Sequence, residues 1–466
     1  MLKFETNTVQ MQSAKYQYVA AFVVNLLSIA SGVTGGWSSP NIILLMSDET
    51  PLPSGRITME QCSWLVSFLY MGGVFGNIIF GFVTNRFGRK WPLIIMTIPM
   101  MISWLLILYS QNIYYIYASR ILNGIIGGGL FIIIPLFLSE IAIDRVRGVL
   151  GSTLILAENI GILLAFILGH FCDYYTTPKV VIALMIICSV LLFFFPESPP
   201  FLMKQNQVLE AEKSIHFYQN LNGNNANYEL LQIEMSKLQS MFADMKTESS
   251  LTWSDLTTHT ARKAITIGVV LAALNQFCGC FAMFNYTSYV FEEAGSNFTP
   301  NESAIVIGFI SLFGSFLSTN LVDRAGRKIL FAISSVGTAL GLIVLGIYVM
   351  LKSWNYQVET LNWIPMVSFS FVVFIASLGL MTLPFVVISE IMPEKIKDFS
   401  VSFCMIILWT LTFIMVKWLP LLTESFEFYR SMFLFAAVCV LGYVFIFFYV
   451  PETKSKSYEQ IMDSLR

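Results

Sequence analysis

The residues that could do chemistry here are mostly charged, and they come in pairs. NRFGRK occupies residues 85–90 and DRAGRK residues 323–328, so Arg86 and Arg89 recur as Arg324 and Arg327. Glu140 closes an apolar run and Arg147 follows seven residues later; Glu390 closes another, and Lys397 follows at the same interval. PESP at 196–199 supplies Glu197, and PETK at 451–454 supplies Glu452. Arginine and carboxylate form directional, often bidentate, ion pairs. The glycine in each hexamer suits a tight turn. A different acid stands alone: Glu158, within LAENIG, in the middle of an apolar stretch. Nothing in the chain pairs a nucleophile with a base, so an enzyme is not expected. Cys278 and Cys280 form a single C-x-C without the further ligands that zinc requires, so neither a metal nor another cofactor is expected.

The elements that position these charges must be membrane helices. The chain has 466 residues, 56% hydrophobic and only 12% charged, against about 25% charged in a soluble domain. Its net charge of −2 says nothing about nucleic acid, and no basic patch suited to one is visible, so no nucleic-acid partner is expected. A bilayer crossing takes about 20 apolar residues. Twelve such runs are expected: 16–38, 62–83, 91–110, 113–139, 148–170, 179–196, 262–291, 302–322, 329–351, 362–391, 399–422 and 428–450. The polar interval 197–261 reads as a short helical linker, with Glu/Lys-rich stretches at 206–219 and 227–246. The expected organisation is therefore an all-α membrane protein with residues 1–196 and 262–450 as two pseudo-symmetric six-helix bundles. Residues 197–261 join them and 451–466 form a tail.

Orientation follows from the positive-inside rule. With both termini in the cytoplasm, all of the 27 Lys and Arg except Arg56, Arg120, Lys179, Lys352, Lys417 and Arg430 fall on the inner side. The sequons at Asn297 and Asn301 then land in an outer loop as expected glycosylation sites, which favours the plasma membrane; the sequon at Asn285 falls inside a span. The repeated charges end the second, fourth and sixth spans of each half at the cytoplasmic side, the mark of an internal duplication. Ion pairs formed across the two halves would hold the inner side shut and break on opening. The simpler alternative is that these charges only fix topology.

These motifs together resemble the sugar porter branch of the major facilitator superfamily. The likeness runs from NRFGRK through RILNGIIGG (120–128), PLFLSE (135–140), RGVLG (147–151), PESP and DRAGRK to PETKSKS (451–457). Within that branch the chain is most similar to the insect group of facilitated trehalose and hexose transporters. The resemblance implies the major facilitator fold and a sugar path between the halves, with ligands on spans 5, 7, 8, 10 and 11. By motif spacing, it implies substrate roles for Asn275, Gln276, Asn285, Ser311, Phe385 and Trp409. Phe281, Ile155 and Ser377 stand where the family usually carries polar ligands, so the pocket is expected to be less polar than a glucose facilitator's. Amides donate and accept toward sugar hydroxyls, and aromatic faces stack on C–H surfaces. Asn285 has the alternative role of bonding between helices, and Trp409 that of an interfacial residue.

Glu158 lies eleven residues past Arg147, roughly 16 Å into a core about 30 Å thick. Three readings stand: a sugar ligand, a proton-coupling carboxylate, or a structural acid paired with a polar neighbour or with a cation such as Lys417 or Arg120. Val33 stands in span 1 where the resemblance places the acid of proton-coupled members, which favours a uniporter. The function expected is facilitative sugar transport by alternating access. Proton–sugar symport through Glu158 is the alternative, and a non-transporting sugar sensor a lesser one. The partners are a small sugar and the bilayer, with no obligate protein partner evident. No G-x-x-x-x-G-K-[ST] loop is visible that would bind ATP.

Overall fold

The computed structural model describes residues 14–220, 231–240 except 233 and 237, 252–294, 298–356, and 359–465 except 455 and 457. The regular elements among the described residues are all helices, without a strand. Among those residues eleven segments, rather than the twelve expected, are long and apolar enough to cross a bilayer. The first half comprises α1 (Lys15–Gly36) continued by α2 (Ser38–Met46), α3 (Met59–Phe87), α4 (Lys90–Leu108), α5 (Ile113–Ile141), α6 (Asp144–Phe171) and α7 (Thr176–Phe193). Short helices α8 (Pro199–Lys204), α9 (Val208–Gln219) and α10 (Trp253–Thr257) follow. The second half comprises α11 (His259–Phe277), α12 (Cys280–Asn285), α13 (Thr287–Ala294), α14 (Pro300–Ala325), α15 (Arg327–Ser353), α16 (Ile364–Leu378), α17 (Leu383–Ile391), α18 (Lys397–Phe426) and α19 (Phe428–Tyr449), before a terminal α20 (Tyr458–Ser464).

The seventh span, expected as one run over 262–291, is instead three pieces: α11, α12 and α13. Gly279 sits at φ +75° between the first two, and a Cβ there would strike the Phe435 ring. The tenth span is likewise split between α16 and α17. A helix broken at bilayer depth must satisfy its freed backbone groups from neighbours, and side chains do so here. The Ser334 hydroxyl accepts from Leu380 N at 3.0 Å. Ser318 donates to Leu378 O at 2.9 Å, and the Asn275 amide donates to Leu380 O. Where α1 bends into α2, the buried Arg120 guanidinium donates to Thr34 O (2.6 Å) and Ser38 Oγ (2.9 Å). Paired breaks of this kind mark the midplane of many transporter folds.

Within the first half α3 packs on α5 and α1 on α6; within the second, α15 packs on α16 and α19, and α14 on α16. The halves meet along α3 with α18 and α6 with α14. The linker is divided between them. α9 lies against α1, where Gln17 donates to Tyr218 O, whereas α10 is tied to residues 394–396 by the Asp255–Lys395 pair at 2.8 Å. Asp255 is held down to about 2 by its hydrogen bonds from Lys395 and Thr252. Most of the expected helical stretch at 227–246 lies outside the described residues, as does Asn297.

Candidate functional site

Two charged clusters stand at one face of the molecule, and their partners correspond one for one. In the first, Arg89 donates to Glu140 Oε1 from Nε (3.1 Å) and Nη2 (2.7 Å), and from Nη1 to Thr84 O (2.8 Å). Glu197 accepts from Arg89 N (3.0 Å) and Lys90 N (3.0 Å), capping the N-terminus of α4. In the second, Arg327 donates from Nη2 to Glu390 Oε1 (2.8 Å) and from Nη1 to Val322 O (3.2 Å). Glu452 accepts from Arg327 N and Lys328 N, both at 3.0 Å, capping α15. Ser198 donates to Glu140, and Thr453 to Glu390. A carboxylate suits a helix N-terminus because the first amides point outward unpaired and the dipole favours negative charge. Burial pushes the Glu452 carboxyl up, but amides of Lys454, Arg327, Lys328 and Thr453 outweigh it and hold it below the usual carboxylate range. Gly88 and Gly326 turn the chain at φ +87° and +95°, conformations that only glycine adopts readily.

The pairs do not cross between the halves as the sequence suggested. Arg89–Glu140 closes within the first and Arg327–Glu390 within the second, because each hexamer turn is clamped by the acids that end its own half's later spans. Arg86, Arg324 and Lys397 are exposed and form no side-chain ion pair among the described residues. Arg147 donates to Ser139 O (3.3 Å) and Ala142 O (3.5 Å) at the end of α5.

Bonds between the halves lie elsewhere. At the opposite face Lys417 donates to Ser63 Oγ (2.7 Å) with its ammonium 4.1 Å from the Trp64 ring centroid, and Ser39 meets Ser288 at 3.1 Å. Deeper, Tyr70 donates to Asn285 Oδ1, and Asn159 accepts from Ser311 (2.9 Å) and donates to Ser315 (3.2 Å). Phe131 stacks on Phe385 with centroids 6.1 Å apart.

Between these layers is a cavity of two lobes, each of about 110 Å³, sharing the walls Tyr70, Phe131, Glu158, Ile162, Phe281, Phe284 and Trp409. The first lobe adds Ser31, Asn123 and Asn285; the second adds Asn159, Asn275, Gln276, Ser311, Ser377, Phe385 and Thr412. All seven residues expected at a substrate site therefore line it: Glu158, Asn275, Gln276, Asn285, Ser311, Phe385 and Trp409. Their polar atoms are not equally available. Asn275 is occupied by Leu380 O and by the Gln276 amide, and Asn285 by Tyr70 and Phe281 O. Gln276 Oε1, on α11, and Asn123 Nδ2, on α5, are buried without a hydrogen-bond partner. Glu158 accepts from Ser31 Oγ at 3.2 Å. Neither Lys417 nor Arg120 pairs with it, since both are engaged elsewhere. Trp409 is no interfacial residue: its ring lies 6.0 Å from Tyr70 and 5.8 Å from Phe131.

Tyr70, Asn123, Phe131 and Asn159 were not anticipated. Asn159 carried a signal, an amide in a mid-span position beside Glu158; the aromatic residues carried none, since an apolar run reads the same toward lipid or cavity. Of the two sequons expected to be glycosylated, only Asn301 is among the described residues; it is half-buried in the first turn of α14, its side-chain oxygen accepting from Ser288 at 3.2 Å.

The family model described as "Sugar (and other) transporter" matches residues 7–464. The facilitated trehalose transporter Tret1 of Bombyx mori is 30% identical over 445 residues, covering 96% of this chain and 86% of that protein. Tret1 of Culex quinquefasciatus is 30% identical, over 96% of this chain and 85% of that one. The inward-open structure of the E. coli xylose transporter XylE superposes with a TM-score of 0.76 at 21% identity, over 96% of this chain and 99% of that chain. Its partially occluded inward-open form gives 0.75 at 19% identity, over 94% and 100%. This likeness shows the major facilitator fold. The chain belongs to the sugar transporter family.

Proposed function

We propose that this member of the sugar transporter family is a facilitative carrier of trehalose or a hexose, working by alternating access. Residues 1–196 and 262–450 are the two moving bundles, 197–261 their cytosolic linker and 451–466 a cytosolic tail. The observation that carries this reading is the cavity enclosed between the halves, to which each contributes amides: Asn123 and Asn159 from the first, Asn275, Gln276 and Asn285 from the second. Two amide atoms of these wall residues, Gln276 Oε1 and Asn123 Nδ2, are buried and have no hydrogen-bond partner among the described residues. A buried polar atom without a partner is costly, and a ligand with several hydroxyls can satisfy an acceptor and a donor at once. Such a ligand bridges the halves, and the face of Trp409 offers a surface for its C–H side. The trehalose transporters among the relatives support the substrate class.

The charged clusters then serve as clamps rather than as bars across the entrance. Each holds the cytosolic ends of its own bundle together, so that the bundle rocks as one body. Ser63–Lys417 and Ser39–Ser288 keep the outer side shut, and they are the bonds that must break when it opens. Both termini are cytoplasmic and the carrier resides in the plasma membrane. No ATP or obligate protein partner enters the cycle.

The test is uptake of labelled trehalose and glucose by cells displaying the protein, at acidic and neutral pH and with the proton gradient collapsed. Saturable uptake indifferent to pH and gradient is expected. Uptake that stops when the gradient collapses would make the protein a proton symporter. Binding without uptake would make it a sensor.

A further inference from the structure

Glu158 has no counter-charge. Its carboxylate belongs to the wall shared by both lobes, its hydrogen-bond partner is the Ser31 hydroxyl, and no Lys, Arg or His lines either lobe among the described residues. An acid at bilayer depth without a cation is strongly disfavoured, and such groups usually face the pathway of whatever compensates them. Most of the residues that line both lobes with it are aromatic. Trp409, Tyr70, Phe131 and Phe281 form a connected set of rings, with centroid separations of 6.0 Å (Tyr70–Trp409), 5.8 Å (Phe131–Trp409) and 5.7 Å (Tyr70–Phe281). Aromatic faces attract cations, tryptophan most strongly, and more so when water is excluded. Hydroxyl- and amide-bearing residues are more numerous in the second lobe, which Glu158 also lines.

We propose that the preferred substrate is an amino sugar: a hexose whose protonated amine lies against the Glu158 carboxylate within the aromatic set, with its hydroxyls in the lobe of Gln276 and Asn159. This rests on the sugar-carrier reading and names which sugar it favours. Beside a neutral sugar the acid can be neutral only by holding a proton, whereas an ammonium pairs with its carboxylate and adds ring–cation attraction. The loaded site is neutral, so the charge moves over the whole cycle: with the carboxylate returning bare, each turn carries one positive charge inward, with no bond made or broken.

The experiment uses the full chain in proteoliposomes with labelled glucosamine, glucose and N-acetylglucosamine, in the wild type and in Glu158→Gln and Glu158→Asp. The readout is the ratio of kcat/KM values rather than any absolute rate. In the wild type glucosamine is expected to exceed both neutral sugars by about tenfold, Glu158→Asp to keep a preference, and Glu158→Gln to bring the ratio near one. Glucosamine alone is expected to produce an inward current, a wild-type measurement that does not depend on a variant folding. A wild type that carries glucose as well as glucosamine, or a preference that survives Glu158→Gln, overturns this inference and leaves the sugar-carrier reading intact. Failure to carry any hexose or trehalose overturns both.

Discussion

The two charged clusters repeat each other atom for atom in their main bonds, while the two walls of the cavity do not. Arg89, Glu140, Glu197 and Ser198 find counterparts in Arg327, Glu390, Glu452 and Thr453. In the cavity the acid comes only from the first half, and the amide pair Asn275–Gln276 only from the second. Duplication preserved the parts that hold a bundle together, and divergence was free in the parts that meet the substrate. The clusters are thus expected to govern stability and the cavity to govern selectivity.

The largest expected effect tests the clusters against each other. The side chains of Arg89 and Glu140 are 10% and 12% exposed, those of Arg327 and Glu390 13% and 27%. Removing one partner of a buried pair strands the other and costs about 3–5 kcal/mol. Arg89→Ala should therefore lower the thermal unfolding midpoint sharply, and Arg327→Ala less, because water reaches Glu390. Equal losses would break the ranking. Next, Gln276→Leu should leave unfolding nearly unchanged while lowering kcat/KM for sugar uptake, through loss of a bond of about 1–3 kcal/mol, roughly five- to a hundredfold. A large loss of stability in that variant would erase the distinction between the two regions.

Smaller effects sharpen the picture at the edges. Lys417→Met removes an inter-half bond whose ammonium is partly exposed, and such bonds contribute about 1 kcal/mol or less. Buried Cys62, beside Ser63, should then be alkylated faster from outside in a Cys172→Ser background; an unchanged rate would remove Lys417 from the outer closure. The smallest effect is a pH dependence. Glu452 titrates in the folded protein below its unfolded value of about 4.3. Its contribution is therefore complete at neutral pH and lost as pH falls through that lower value. The difference in unfolding midpoint between wild type and Glu452→Gln should be constant from neutral to mildly acid pH and shrink only below about 4; a difference that changes near neutrality would contradict the capping role.

How legible each region was in the sequence follows from the same contrast. Charges stand out in a chain this apolar, and their recurrence pointed to Arg89, Glu140, Glu197, Arg327, Glu390 and Glu452, while Arg86, Arg324 and Lys397, named by the same pattern, form no ion pair among the described residues. The sequence could not say in which half each pair closes, since that depends on which helix ends are neighbours. The break in the seventh span was hidden inside an apolar run, because one glycine between cysteines looks like any other packing glycine until Phe435 lies over it. The amides and Trp409 of the cavity were found through resemblance, whereas Tyr70 and Phe131 needed coordinates. Asn275 and Asn285 line the cavity as expected, yet their hydrogen bonds are spent on a helix break and on Tyr70. Gln276 Oε1 and Asn123 Nδ2 are the amide atoms of the wall residues left without a hydrogen-bond partner among the described residues.

The most direct test of alternating access is counterflow in proteoliposomes holding the purified protein, without ATP or an ion gradient. Labelled sugar outside should enter faster when unlabelled sugar is loaded inside, and accumulate transiently above its external concentration, because the loaded carrier reorients more readily than one whose cavity amides are unsatisfied. Binding of sugar with no acceleration by internal sugar would contradict the account.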